Sequence, residues 1–341
     1  MLTNKTDSDE LYYDLPNKNI KQDPYTERDK SLILNVHTKD IIKFSDIRNF
    51  LPDRCILLLN KTTVHKVRIS TEDKITGAFI EVFILKIIDD NSFECLLKSN
   101  SSKNIGTTLL VKEFEMFIES RVDNIFRLSL SNATCERLIS ECGRIPLPPY
   151  IQDNKHKYEY YQNEFADGGF SSASPTAGLH FTQLLLDKLE SDGIDVRYIL
   201  LNVGLGTFTP IRAKYIEDHK IHKEEFHIEK KIINEVINAK KNNIKVICVG
   251  TTSLRAIESA FQKTKPKLSG ETDLYIKRGY EFKVADGLIT NFHAPRSSLI
   301  AIIDTILGSK WKEIYRYTLE SEMNFLSFGD SMYIEFDKCK I

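Results

Sequence analysis

The most constraining feature of this sequence is a run of short extended segments between residues 61 and 145. Apolar, β-branched stretches such as 78–88 and 125–130 recur at short spacing and show little helical periodicity. Turn-forming Asp and Asn residues separate them, for example at 89–91 and at 123–124. Many short strands joined by turns are typical of closed antiparallel sheets. The pattern therefore predicts a small β-barrel domain over residues 61–145.

Downstream, the pattern changes to alternating helices and strands, which is typical of layered α/β domains. The predicted elements are a helix near 182–191, a strand at 195–203, a helix near 228–242, a strand at 245–249, a helix at 253–263 and a strand at 273–276. Two earlier strands, predicted at 31–36 and 55–60, are expected to join the same sheet. The sequence therefore predicts an α/β layered domain formed by residues 1–60 and 146–341, into which the small β-barrel is inserted.

Composition excludes several classes of protein. The 341 residues suffice for two domains with separate cores, and the net charge of −1 leaves no basic field over the whole molecule. A nucleic-acid partner would therefore need a local basic patch. The six cysteines form no C-x-x-C pair, which indicates reduced thiols. The polar N-terminus and the lack of an apolar run of ~20 residues predict neither a signal peptide nor a membrane helix, so we expect a cytoplasmic protein.

The segment 174–182 is predicted to be a loop that leads into the helix at 182–191. Pro175 disfavours a preceding helix, Gly178 permits a turn or a close backbone approach, and Thr182 suits the N-cap position. The helix start would direct free N–H groups and its dipole at whatever lies in front of it. His180 could titrate near neutral pH in such a loop, although a packed structural histidine explains the pattern as well.

A second loop follows the strand at 245–249 and opens the next helix. It contains three hydroxyl side chains and an arginine: Thr251, Thr252, Ser253 and Arg255. Hydroxyls and free amides at a helix start suit a carboxylate or a phosphate. Ordinary helix capping by Thr or Ser explains the same residues equally well. Arg255 and Glu258 are spaced i,i+3 and could simply pair with each other.

Three further loops place polar or flexible residues at strand ends, the usual position of ligand sites in open α/β sheets. They contain Gly204, Gly206 and Thr207, then Asp273, and then Asn291, Phe292 and His293. The glycines would let a ligand approach the backbone, Asp273 could accept hydrogen bonds from a ribose or an amine, and Phe292 offers an aromatic face. A tight turn, a solvated aspartate and a structural histidine are the competing interpretations.

The remaining candidates are a lone arginine, a lone aspartate and a histidine pair. Arg144 precedes a proline-rich strap and could face a phosphate or a carboxylate. Asp330 is either a turn residue or a hydrogen-bond anchor. His219 and His222, with Glu224 nearby, could be mistaken for metal ligands. Because the sequence has no H-E-x-x-H motif and no cysteine near them, we predict structural or substrate contacts and no metal site.

Taken together, these motifs resemble one family, the S-adenosylmethionine:tRNA ribosyltransferase-isomerases of queuosine biosynthesis. The matching motifs run in family order along nearly the whole chain, at 13–16, 143–150, 175–182, 203–208, 219–224, 250–255, 272–273, 290–295 and 328–332. The resemblance implies an α/β domain with an inserted β-barrel. It also implies that the ribosyl moiety of S-adenosylmethionine is transferred and isomerised onto 7-aminomethyl-7-deazaguanine at the wobble position of tRNA, giving epoxyqueuosine-tRNA, adenine and methionine.

The implied reaction requires several proton transfers, because a carbon beside a sulfonium must lose a proton and the departing adenine must gain one. His180 and His293 are the expected acid/base residues, and Asp273 or Asp330 would orient the substrate. The hydroxyl-rich loop and its arginine would hold the methionine carboxylate or the ribose. The full set of expected substrate-binding residues is Arg144, Pro175, Thr176, Gly178, Gly204, Gly206, Thr207, His219, His222, Thr251, Thr252, Ser253, Arg255, Asn291 and Phe292.

The expected partners are S-adenosylmethionine, consumed as a co-substrate, and a tRNA carrying 7-aminomethyl-7-deazaguanine. We expect no separate cofactor, no membrane contact and a monomeric chain. Basic segments at 155–157, 240–245 and 263–278 could contact RNA phosphates, although solvated surfaces explain such runs as well.

The sequence also departs from the family pattern at several positions. Lys61 and Thr63 stand where N-D-T-R-V is usual, Tyr160 where R-Y-Q-T is usual, and Ala294 where H-L-P is usual. These departures leave two alternatives open. One is a divergent paralogue that uses S-adenosylmethionine with a different amine acceptor, and the other is a tRNA-binding protein without catalysis.

Overall fold

The computed structural model describes residues 5–100, 103–204 and 210–336. The chain divides into two compact units. One comprises Met1–Thr63 and Pro148–Ile341, and the other comprises Val64–Leu147. The sequence-based boundaries of the inserted segment are 61 and 145, close to these positions.

The described residues form the following strands, in chain order: β1 (Leu32–Asn35), β2 (Ile41–Lys43), β3 (Cys55–Asn60), β4 (Arg68–Asp73), β5 (Phe79–Asp89), β6 (Ser92–Ser99), β7 (Thr108–Val111), β8 (Phe114–Val122), β9 (Ile125–Leu130), β10 (Asp195–Leu201), β11 (Glu224–His227), β12 (Lys245–Val249), β13 (Ser269–Thr272), β14 (Gly287–Asn291) and β15 (Ser331–Glu335). The helices are α1 (Cys135–Cys142), α2 (Gln183–Ser191), α3 (Lys230–Lys241), α4 (Gly250–Ala260), α5 (Ser298–Leu307) and α6 (Lys310–Glu320). Within these described ranges, no helix is both long and apolar enough to cross a membrane.

The larger unit is built on a nine-stranded mixed sheet with the order β13-β11-β10-β3-β12-β14-β15-β1-β2. At its centre, β3 pairs in parallel with both β10 and β12, and β12 pairs in parallel with β14. The pairs β14–β15, β10–β11 and β11–β13 are antiparallel. The carboxyl ends of the central parallel strands therefore lie at one edge, where the loops of the hydroxyl-rich and histidine motifs begin.

Strand β3 explains why the sheet is covered on both faces. All six of its residues are buried, as expected of a central strand in a parallel sheet. Ile56 and Leu58 pack into a core with α3, α4 and α5, whereas Leu57 and Leu59 pack into a second core with α2. Successive side chains of a strand point to opposite faces, so this apolar run supplies both cores.

The smaller unit contains a closed six-stranded barrel with the order β4-β5-β6-β9-β8-β7. Antiparallel pairing of β4 with β7, through Glu72–Leu110 and Asp73–Leu109, closes the sheet and leaves no free edge. Alternating residues such as Ile69, Val82 and Leu128 are fully buried inside it. The predicted fold, an α/β layered domain that carries an inserted small β-barrel, is confirmed.

The element boundaries follow the sequence closely at some positions and not at others. Strand β12 spans the predicted residues, but α4 begins at Gly250, three residues before its predicted start at 253. The strand predicted at 273–276 is wrong, because β13 ends at Thr272. The Thr272 hydroxyl accepts a hydrogen bond from the Leu274 amide (3.1 Å), and this local turn ends the strand.

Candidate active site

The loop before α2 folds as a single 3-10 turn, Thr176–His180, which Pro175 precedes. A Cβ added at Gly178 would lie only 2.7 Å from Asn163 Nδ2 and 2.8 Å from Phe165 Cζ. The predicted close approach at this glycine is therefore confirmed. The Thr182 hydroxyl accepts a hydrogen bond from the Leu185 amide (3.1 Å), which confirms the predicted cap of α2.

His180, at the end of this turn, is almost fully buried. Its Nδ1 lies 2.7 Å from the Ser31 hydroxyl, and its ring stacks on Phe44 with centroids 4.9 Å apart. Burial lowers its pKa to about 4; the nearby Asn291 side chain opposes this shift and the charge of Arg28 adds to it. The imidazole is therefore neutral at neutral pH. Although Asn291 is close, its Oδ1 and His180 Nε2 form no hydrogen bond, and both buried atoms lack a partner among the described residues.

The hydroxyl-rich loop opens α4 directly from β12. Gly250 has a φ of +80°, a left-handed conformation that favours glycine and lets the chain turn from strand into helix. Val249 occupies the N-cap position without a side-chain cap, so helix capping does not explain the hydroxyls that follow. Thr252 Oγ1 and Ser253 Oγ are buried and have no hydrogen-bond partner among the described residues. Buried hydroxyls without partners are costly and indicate a site prepared for a ligand.

Arg255, one turn into α4, forms a buried ion pair with Glu224 of β11. Its Nε donates to the Leu274 carbonyl (3.0 Å), while its Nη2 has no partner in the described part of the chain. Glu224 also accepts a hydrogen bond from the Gly204 amide (3.1 Å). The pairing of Arg255 with Glu258 that the spacing allowed is not formed. The carboxylate of Glu258 instead accepts from the backbone amides of residues 283–285, at 2.8–3.0 Å.

These groups surround a cavity of about 600 Å³, which we call the larger cavity. Its lining includes His219, His222, Glu224, Thr251, Thr252, Arg255 and Tyr275. The His219 ring contacts the Tyr275 ring edge-on with centroids 5.8 Å apart, and burial together with the nearby His222 lowers the pKa of His219. Burial raises the pKa of the Tyr275 hydroxyl, which is unpartnered among the described residues. The larger cavity thus combines neutral hydrogen-bonding groups, a guanidinium nitrogen and two histidines.

A second cavity, of about 270 Å³, lies beside His180. Its lining includes Pro24, Tyr25, Arg28, Tyr160, Leu179, His180, Ser327 and Phe328. The middle of the 3-10 turn contacts the start of α4, because Ala177 lies 3.5 Å from the position that a Cβ would take at Gly250. The end of the turn, Leu179 and His180, lines the second cavity. The structure therefore places His180 and Thr251 in two neighbouring cavities, not in one.

Two predicted residues of the loop after β14, Phe292 and His293, are enclosed in the core. The ring of Phe292 is fully buried against Tyr315 and Phe325, so it offers no face to a base. His293 is buried as well; its Nε2 lies 3.1 Å from Thr290 Oγ1, and burial lowers its pKa to about 3. Neither of the two cavities is lined by Phe292 or His293.

Three further predicted residues, Asp330, Asp273 and Arg144, are not among the lining residues of either cavity. Asp330 is fully buried and accepts hydrogen bonds from the Leu32 amide, the Asn324 amide and the Tyr25 hydroxyl, at 2.7–2.9 Å. Asp273 is exposed. Arg144 belongs to the barrel unit, where its guanidinium donates to the Ser70 hydroxyl. Gly206 and Thr207 lie outside the described residues.

Sequence reasoning missed the aromatic and cationic residues of both cavities, chiefly Tyr275, Tyr160 and Arg28. Tyr275 and Arg28 stand in no short motif with a recognisable chemical purpose, and Tyr160 is visible in the sequence only as a departure from the R-Y-Q-T segment. Their roles depend on contacts between segments far apart in sequence, which no local pattern reveals.

In the described ranges, no group of three or more His, Cys, Asp or Glu side chains is placed to hold a metal ion.

Nearly the whole chain is similar to proteins of one known family. The model of the family described as queuosine biosynthesis protein matches residues 8–334. The S-adenosylmethionine:tRNA ribosyltransferase-isomerase of Halothermothrix orenii is 36% identical, over 96% of this chain and 99% of the relative. That of Vesicomyosocius okutanii is 35% identical, over 95% and 96%. The crystal structure of S-adenosylmethionine tRNA ribosyltransferase from Thermotoga maritima superposes with a TM-score of 0.53 at 27% identity, covering 95% of this chain and 99% of that one.

Proposed function

Because the chain belongs to the queuosine biosynthesis protein family, we propose that it transfers and isomerises the ribosyl moiety of S-adenosylmethionine onto tRNA. It is an enzyme, a transferase whose substrates are S-adenosylmethionine and tRNA. The acceptor is 7-aminomethyl-7-deazaguanine at the wobble position, and the products are epoxyqueuosine-tRNA, adenine and methionine. S-adenosylmethionine serves as co-substrate, and the reaction needs no separate cofactor.

The larger cavity is the proposed site for S-adenosylmethionine. The observation that carries this assignment is the set of unpartnered buried polar atoms on its wall: Thr252 Oγ1, Arg255 Nη2 and Tyr275 Oη. A guanidinium and hydroxyls beside the first amides of α4 suit a carboxylate, such as that of the methionine moiety. Glu224 holds the arginine in place from the opposite side.

Proton transfers in this cavity fall to His219 and His222, since these are the two histidines that line it. The first step removes a proton from the carbon beside the sulfonium, and a neutral imidazole is a suitable base for it. The lowered pKa of His219 keeps its ring neutral before the reaction. His293 and Asp330 have no part in these proton transfers in the proposal, because their polar atoms already contact neighbouring residues.

A single chain is the proposed catalytic unit. The lining residues of each cavity all belong to the larger unit. Sedimentation of the active enzyme at assay concentration tests this point. Activity that appears only in a dimer fraction would contradict it.

Adenine release tests the proposed activity. The enzyme is incubated with S-adenosylmethionine and a tRNA that carries 7-aminomethyl-7-deazaguanine, and free adenine is measured by chromatography. Release that depends on that tRNA supports the proposal. Release with another amine acceptor indicates a divergent paralogue, and RNA binding without any release indicates a protein that has lost catalysis.

Matched histidine variants test the site. We expect His219→Gln and His222→Gln to lower kcat by about 10²–10⁴-fold, the usual contribution of a general acid or base. His227→Gln is the control, because His227 is an exposed histidine of β11 that does not line the larger cavity. Wild-type kcat in both cavity variants would remove these histidines from the proton transfers.

A further inference from the structure

The second cavity has a lining suited to a flat ring. The aromatic side chains of Tyr25, Tyr160 and Phe328 line it, and the Arg28 guanidinium lies 5.8 Å from the centre of the Tyr160 ring. Proteins bind unstacked nucleic-acid bases with aromatic rings and arginine planes of this kind. At about 270 Å³, this cavity is smaller than the larger cavity, which measures about 600 Å³.

His180 gives this cavity a specific hydrogen-bonding group. The Ser31 hydroxyl lies 3.2 Å from the Arg28 carbonyl, to which it can only donate, and 2.7 Å from His180 Nδ1. A hydroxyl has one hydrogen, so both contacts are hydrogen bonds only if Nδ1 carries the imidazole proton and donates to Ser31. Nε2 of this buried side chain is then an acceptor, and it has no partner among the described residues. A ligand with an N–H or O–H donor would satisfy this acceptor.

The second cavity is also close to the larger one. The turn Thr176–His180 contacts Gly250 through Ala177 and reaches the second cavity through His180. At ~2 Å of rise per residue in a 3-10 turn, His180 lies on the order of 10 Å from the start of α4. A ribosyl group can pass from one substrate to the other only if their two sites are neighbours.

We propose that the second cavity receives the base of the acceptor nucleotide, with its ring against Tyr160 and one N–H donated to His180 Nε2. A deazaguanine has ring and exocyclic N–H groups on one edge, so it satisfies this acceptor. The base must leave the RNA stack to enter, as in other enzymes that act on bases. This inference rests on the proposed function for the identity of the base.

A double-mutant cycle between protein and RNA tests the contact with Tyr160 without any catalysis. The probes are an anticodon stem-loop that carries 7-aminomethyl-7-deazaguanine and the same RNA with an abasic nucleotide at that position. We expect the wild-type chain to bind the first RNA about 5- to 150-fold more tightly, the range found for stacking of one base on an aromatic side chain. Tyr160→Ala should bind both RNAs with nearly equal affinity.

Two variants control this cycle. Tyr160→Phe keeps the ring and should preserve most of the preference for the base. Tyr317→Ala removes a similar half-buried tyrosine, which has the cation of Lys39 at 5.6 Å from its ring and lies outside both cavities. It should leave the preference unchanged. Nitrogen-15 NMR of the imidazoles, with His180 assigned from His180→Gln, should show a shift of Nε2 with the base-bearing RNA only.

The outcomes separate this inference from the proposed activity. The inference would be overturned if removal of the base weakened RNA binding equally in wild type and Tyr160→Ala. It would also be overturned if Tyr160→Ala raised the KM for S-adenosylmethionine and left the KM for tRNA unchanged. An unshifted His180 Nε2 in the complex would overturn the hydrogen bond. A wild-type chain that shows the full preference but releases no adenine would disprove the activity and still support the binding of a base in the second cavity.

Discussion

The guanidinium of Arg255 and the carboxylate of Glu224 form an ion pair in which only 11% and 5% of the respective side chains are exposed. This pair connects α4 to β11 at the wall of the larger cavity. Because both side chains are so little exposed, the loss of one charge leaves the other buried and unpaired.

The first prediction concerns this pair. Glu224→Gln should lower the free energy of unfolding by about 3–5 kcal/mol, the usual result of removing one partner of a buried ion pair. Denaturation by guanidinium chloride gives the value. The control is Lys223→Gln at the adjacent position, whose ion pair with Glu271 is largely exposed, with side chains 65% and 58% accessible. Equal stability losses in the two variants would contradict the prediction, because exposed pairs contribute little.

The second prediction distinguishes a ligand-binding hydroxyl from a structural one. Thr252→Val removes a buried hydroxyl without a described partner, so the free enzyme should keep its stability or gain some. The same change should weaken S-adenosylmethionine binding by about 2- to 12-fold, the equivalent of one neutral hydrogen bond of about 0.5–1.5 kcal/mol. Thermal unfolding and isothermal titration calorimetry measure the two effects.

The control for this second prediction is Thr305→Val, in which a hydroxyl with a hydrogen-bond partner is removed. The Thr305 hydroxyl of α5 donates to the Ala301 carbonyl (2.6 Å), away from both cavities. Thr305→Val should therefore leave S-adenosylmethionine affinity unchanged. If Thr252→Val destabilises the free enzyme and binds S-adenosylmethionine normally, its hydroxyl is structural.

Local chemistry explains which features the sequence revealed. Thr182 caps α2 and Gly178 makes a close approach, because both effects depend on a few neighbouring residues. Strand β12 was recognisable for the same reason, since its apolar residues are continuous and a glycine follows them. The barrel followed from strand spacing and turn residues, which are also local signals.

Long-range contacts explain what the sequence could not reveal. Arg255 pairs with Glu224, which is 31 residues away in sequence. The spacing in the sequence points instead to Glu258, which is only three residues away. His293 and Phe292 follow a strand end as a ligand site would, but α6 covers that loop with Tyr315. Polar residues at a strand end therefore predict a site only if no later element packs over them.

The third prediction concerns Glu258, which organises the loop after residue 280. Its fully buried carboxylate accepts three backbone amides and the Tyr280 hydroxyl. Glu258→Gln replaces one acceptor oxygen by an amide NH2 group, itself a donor, that faces these donors, so stability should fall by about 1.5–3 kcal/mol. Glu281→Gln is the control, because its ion pair with Lys283 is exposed. Urea denaturation that gives equal midpoints for both variants would rule out this anchoring role.

The fourth prediction is a pH dependence of stability. Burial lowers the pKa of His293 from 6.5 to about 3, so between these values the unfolded chain binds a proton that the folded chain does not. This contribution to stability is complete above pH 6.5 and is lost as the pH falls, at ~1.4 kcal/mol per pH unit. His180, with a pKa of about 4, adds a similar loss down to that pH.

Urea denaturation at pH 7, 6 and 5 measures this loss through the slope of the unfolding free energy against pH. The slope, unlike the absolute stability, is insensitive to any packing defect that a substitution introduces. His293→Gln should reduce it by about 1 kcal/mol per pH unit between pH 7 and 5, approaching ~1.4 kcal/mol per unit at the acid end, because one buried site that the unfolded chain protonates has been removed. His156→Gln, at an exposed histidine, should leave it unchanged. Parallel profiles for wild type and His293→Gln would show that His293 is protonated alike in the folded and unfolded chains, contrary to its buried position.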